Sequence, residues 1–114
     1  MAEPTLSPQM QQQLAQLQSM NQQYQATAQQ RAQLEAMRIE AEQALEALGA
    51  LKDDAPVYRN VGSLLVRDTK ADAVARLKED AETMEVRVAR LQKQEAALKE
   101  QMQQLQAKLQ AALK

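Results

Sequence analysis

From Val74 onward, apolar side chains return in alternating steps of three and four. The series is Val74, Leu77, Ala81, Met84, Val88, Leu91, Leu98, Met102, Leu105, Leu109 and Ala112, with Glu95 as its one polar member. Such a heptad pattern belongs to a long α-helix that presents a single apolar seam to another helix. Thr69 precedes it as a hydroxyl N-cap, and Asp72, three residues on, makes a variant of the capping box. A helix is therefore predicted over about residues 70–112. Glu95 and Lys99 are placed for an i,i+4 bridge in the favoured order.

The first half of the chain carries a second, less regular pattern. Ser7-Pro8 reads as an N-cap followed by proline at the first helical position, where no donor is lost. A helix is predicted over about 8–50, with residues 1–7 loose before it. Its apolar positions are Met10, Leu14, Leu17, Tyr24 and Ala28, with Asn21 in the same seam. A further set follows: Leu34, Met37, Ala41, Ala44 or Leu45, and Leu48. The six-residue step from Ala28 to Leu34 breaks the repeat and predicts a phase change near Arg31. Gly49 is a candidate C′ residue, or the helix continues one turn to Lys52, before Pro56 excludes the α conformation ahead of it.

Between the helices the period shifts towards two. Val57-Tyr58-Arg59-Asn60-Val61-Gly62-Ser63-Leu64-Leu65-Val66-Arg67 gathers β-branched and aromatic residues about one glycine. Strands are expected near 57–60 and 64–67, making a β-hairpin. So short a connection forces the second helix back along the first. The fold class is mainly α: a long antiparallel two-helix coiled coil, joined by a single β-hairpin, in one domain over 1–114. Both chain ends are expected at the tip remote from the hairpin.

Composition supports a narrow seam over a thick core. The 114 residues include no Phe or Trp, and Tyr24 and Tyr58 are the aromatics. Net charge is −1, which supplies no overall field towards nucleic acid or anionic membrane. Residues 1–51 hold two basic and five acidic side chains, and residues 70–114 nine basic and seven acidic. Antiparallel arms thus carry opposite mean charge, a modest preference that salt weakens. With no membrane-length apolar run, no leader-like start and no cysteine, a soluble cytoplasmic protein is expected.

The hairpin is too small to stand alone. Two isolated strands are marginal in water and leave two unpaired edges. Leu64 and Val66 point to one face and Leu65 to the other, so neither face is polar. Pairing with hairpins of other chains, closing into a sheet or barrel, is the expected solution; folding back as a cap on the helix ends is the alternative.

Catalysis finds little support. The chain has no His and no Cys, hence no Ser-His-Asp triad, thiol nucleophile or His/Cys zinc site. Two glycines make no phosphate loop, and no cofactor or metal is expected. Basic residues lie among acids without an aromatic platform, against single-strand nucleic-acid binding. One activity remains open. At the tip, Leu6, Met10, Leu14, Leu17, Leu105, Leu109 and Leu113 either continue the seam or offer a flexible apolar surface to other chains.

The run Pro56–Arg67 between two Gln/Glu/Lys-rich helices closely resembles the beta class of prefoldin subunits, as does the stretch Pro8–Gln18. The resemblance spans nearly the whole chain. It implies an ATP-independent holdase: a hexamer of two alpha-class and four beta subunits whose hairpins form a double β-barrel. Coiled-coil tips would capture unfolded protein clients and pass them to a group II chaperonin. It assigns assembly to Val57, Tyr58, Val61, Gly62, Leu64, Leu65 and Val66, and client binding, by location, to the seven tip residues. Any longer C-terminal tail used for chaperonin docking in some relatives is expected to be absent or truncated after Lys114. The competing reading is a structural coiled-coil scaffold or spacer assembled through the same hairpin.

Overall fold

The computed structural model describes residues 6–113. Helix α1 spans Pro8–Gly49, strand β1 Val57–Val61, strand β2 Leu64–Asp68 and helix α2 Lys70–Ala112. The expectation of a loose start at residues 1–5 lies outside the described residues. Two compact units divide the chain: α1 up to Arg31 with α2 from Arg90 onward, and the intervening segment Ala32–Ala89.

Ser7 caps α1, its Oγ accepting from the Met10 amide at 3.1 Å and its carbonyl from Gln11 at 3.0 Å. Along α1 the shielded positions form one unbroken heptad series: Met10, Gln13, Leu17, Met20, Tyr24, Thr27, Arg31, Leu34, Arg38, Ala41, Leu45 and Leu48. The phase change expected near Arg31 does not occur. Arg31 is itself the seam residue that an apolar-only reading skips. Asn21 and Met37, expected in the seam, are exposed, and Met20 and Arg38 hold those places. Long side chains of Gln and Arg lay their methylene stems along the seam while the polar heads reach its rim.

Helix α1 ends without a left-handed glycine. Ala50 and Leu51 donate to the carbonyls of Ala47 and Leu48 at 3.3 and 3.1 Å, tightening the last turn, and among the described residues only Gly62 has positive φ. Gly49 is thus the last helical residue and not a C′ cap. The Lys70 ammonium then takes the free Leu51 carbonyl at 2.7 Å and reaches Asp53 at 3.5 Å.

In the second unit Leu34, Ala41, Leu48, Ala73 and Val88 are buried; in the first, Leu91, Leu105 and Leu109. No polar side chain is buried among the described residues. Of the α2 seam, the eleven positions from Val74 to Leu109 are shielded and Ala112 alone is exposed. Glu95 turns across the seam to Arg31, not along the helix to Lys99.

The strands pair antiparallel, Val57 with Asp68 through Val61 with Leu64, around a two-residue turn at Gly62-Ser63. Each strand runs a residue longer than expected. Gly62 has φ +62 while Ser63 has no positive φ, the pattern of a type II′ turn that matches strand twist.

Strand β2 passes into α2 through a single residue. The Thr69 Oγ1 accepts from the Asp72 amide at 3.1 Å, and its carbonyl from Ala73 at 2.9 Å. The reciprocal bond of the capping box comes from Asp68, whose Oδ1 accepts from the Thr69 amide at 2.9 Å. Asp72 does not supply it; an aspartate is a methylene shorter than the glutamate that makes this reach. Asp68 Oδ2 also meets Arg76 Nη2 at 2.7 Å.

Two outcomes follow at this end. Arg76, with the Thr69 amide, holds the Asp68 carboxyl below its ordinary value of 3.8, outweighing the partial burial that would raise it. Its stabilisation is present above that value and lost as pH falls through the lower folded one. The thermal midpoint, followed by circular dichroism, should therefore fall less steeply below about pH 4 in Asp68→Asn than in the parent. At Gly62 a Cβ would meet nothing within 4 Å. Gly62→Ala should still destabilise the folded chain by about 1–2 kcal/mol, from backbone strain alone, in denaturant titrations.

Candidate assembly and client-binding surfaces

Directly opposed residues of an antiparallel pair share a face. One face of the hairpin carries Val57, Arg59, Val61, Leu64, Val66 and Asp68; the other carries Tyr58, Asn60, Leu65 and Arg67. Leu64 is 65% and Leu65 71% exposed, and Tyr58, Val61 and Val66 are exposed too, with Val57 half-buried and Gly62 at the open turn. Neither face has folded down as a cap on the helix ends.

Backbone geometry fixes what the edges offer. A two-residue turn makes Val61 and Leu64 a hydrogen-bonded pair, and the ladder then alternates. Arg59–Val66 and Val57–Asp68 bond inward. Tyr58 and Asn60 on β1, and Leu65 and Arg67 on β2, direct their N–H and C=O groups outward. Among the described residues the sheet has two strands, β1 and β2, and both edges stand open.

In the other unit the tip residues separate into two groups. Leu105 and Leu109 are 9% and 6% exposed and continue the seam, one of the two readings open to them. Leu6, Met10, Leu14 and Leu17 are half-buried, and Leu113 is 66% exposed. Counting outward from Arg31 opposite Glu95, at equal rise per residue, sets Leu17 level with Leu109. Open grooves beside this seam are lined by amide and apolar groups, among them Gln23, Thr27, Leu98 and Gln101 in one and Leu17, Asn21 and Met102 in another.

Among the described residues no three His, Cys, Asp or Glu side chains gather as a metal site. No helix among them is long and apolar enough to cross a membrane. Among the polar ties that escaped the sequence reading are Asp68 with Arg76, Lys70 with the Leu51 carbonyl, and Arg31 with Glu95. The last had a legible signal, since Glu95 is the one polar residue in its seam and Arg31 sits where the other seam loses its apolar residue.

A helical arm that returns on itself through a bare, two-edged hairpin defines a coiled-coil subunit built for assembly. The model of the prefoldin subunit family matches residues 11–114, and the chain belongs to that family. The chain is 47% identical over 108 residues to the prefoldin subunit beta of Methanosarcina acetivorans, covering 95% of this chain and 92% of the relative. Prefoldin subunit beta of Thermococcus kodakarensis is 45% identical over 109 residues, 96% and 93% of the two chains. The crystal structure of the prefoldin beta subunit from Thermococcus strain KS-1 superposes with a TM-score of 0.88, at 44% identity and 98% coverage of both chains. The chain is thus a prefoldin chaperone subunit, which assembles with other subunits.

Proposed function

We propose that the chain acts as an ATP-independent holdase within a hexamer of two alpha-class and four beta subunits. Its hairpin joins an intersubunit β-barrel through Val57, Tyr58, Val61, Gly62, Leu64, Leu65 and Val66. Unfolded polypeptides are held by apolar side chains at the open end of the arms and passed to a group II chaperonin in the cytoplasm. Leu6, Met10, Leu14, Leu17 and Leu113 form the client surface, with Leu105 and Leu109 supporting it from the seam. The observation that carries this reading is the two-sided exposure of the hairpin, a sheet that none of the described residues covers. Several weak apolar arms around one platform hold a client through effective concentration, with no single tight site and no nucleotide.

Assembled with an alpha-class subunit, the protein should suppress aggregation of a chemically denatured client, by light scattering, without ATP. A scaffold would leave scattering unchanged. The triple variant Leu6→Ser, Met10→Ser and Leu113→Ser should weaken capture on the order of tenfold, as losses multiply over the arms, while oligomer mass stays the same. Equal capture by that variant would move the client surface elsewhere.

The assembly surface has its own test. Proline at an outward position removes a donor from the edge without touching the hairpin's own ladder. Asn60→Pro and Leu65→Pro should each reduce the oligomer to smaller species in multi-angle light scattering, with helix content retained. Arg59→Pro strikes an inward position and should break the hairpin itself.

A further inference from the structure

Residues 9–30 of α1 include eleven Gln, one Asn and no charged side chain. Further along the same helix the exposed face becomes an ordinary solvated one, with Glu40, Glu42 and Glu46. The change falls at Arg31, where the two compact units divide. Solubility does not account for it. Charged residues keep a helix face in water at least as well as amides, and i,i+4 ion pairs would add stability.

These amides, with others on α2, line two open grooves, one on each flank of the seam. In one, Gln23, Gln94 and Gln101 each precede a seam residue and surround Ala26, Ala97 and Leu98. In the other, Gln18, Asn21 and Gln106 each follow a seam residue, beside Leu17 and Met102. All six amide residues are exposed. Among the described residues no hydrogen bond within the chain engages their side chains, whereas the Gln11 amide is already given to the Leu6 carbonyl at 3.3 Å.

We infer that the grooves bind an extended segment of a non-native polypeptide through its main chain. A carboxamide offers one donor group and one acceptor, the same pair that each backbone unit of an unfolded chain presents. Being uncharged, it does not sort chains by their net charge. The Ala and Leu side chains around it lower the local dielectric and strengthen each bond made there. Gln94 and Gln101, two helical turns apart, are separated by about 10.5 Å, the length of about three extended residues. Leu17 belongs both to the second groove and to the client surface proposed above, so a chain held at one reaches the other. The inference rests on the holdase reading and adds a second kind of contact to it. Apolar residues of the arm hold client side chains, and groove amides hold the client backbone whatever its sequence.

Backbone N-methylation separates the two contacts, because it removes donors while adding apolar methyl groups. The probes are a fluorescent, unstructured peptide of Val, Ala and Ser and the same peptide N-methylated at every second residue. The chain, assembled with an alpha-class subunit, should bind the unmodified peptide about tenfold more tightly by fluorescence anisotropy, the worth of one or two bonds. The triple variant Gln23→Met, Gln94→Met and Gln101→Met keeps side-chain size and helix propensity. It should lose most of that preference by binding the unmodified peptide more weakly, with helix content and oligomer mass unchanged. Capture driven by apolar surface alone predicts the opposite sign, tighter binding by the methionine variant. Equal or tighter binding of the methylated peptide by the parent overturns the inference and leaves the apolar client surface standing; this comparison needs no variant. A methionine variant that keeps the parent's preference overturns the assignment to this groove. Failure of both peptides to bind overturns the holdase reading together with this one.

Discussion

The molecule depends on a seam one side chain wide. Its buried residues are Leu, Ala and Val, taken singly along two helices, and the most enclosed of them is Ala73 at 2% exposure. Each such leucine contributes about 1.5–3 kcal/mol, and no thick core exists to dominate the sum. Stability is therefore spread along the length of the helices. Any one layer can be polar without unfolding the chain, provided its polar group is paired or reaches the rim. This is why α1 tolerates Gln13, Thr27, Arg31 and Arg38 at core positions.

The same thinness decides how the hairpin behaves. A globular core would cover one face of a small sheet; here there is nothing wide enough to cover either. Leu64 and Leu65 stay exposed on opposite faces and both edges keep outward donors and acceptors. In the function proposed above, assembly completes a sheet that the described residues of its own chain leave bare on both faces.

Most of this was legible in the residues, and the exceptions share a cause. The α2 seam reads directly because an apolar side chain fills every position but one. Reading α1 by apolar residues alone produced a false phase change, since Arg31 and Thr27 are seam residues by geometry and polar by name. Gly49 suggested a left-handed cap, yet the end of α1 is closed by backbone bonds to Ala47 and Leu48 and by the distant Lys70 ammonium. Local sequence rules cannot anticipate a partner nineteen positions away, still less one at a separation of sixty-four, as for Arg31 and Glu95. The hairpin was legible because its signal is local. The tip was legible in composition only: heptad phase, not residue type, separates buried Leu109 from exposed Leu113.

The two helices are consequently not equivalent partners. Helix α2 has the regular apolar seam and a one-residue junction to the sheet, with Asp68 bonding both Thr69 and Arg76. It is the element whose direction the hairpin dictates. Helix α1 joins through an exposed seven-residue segment tied by Lys70, and carries the polar interruptions.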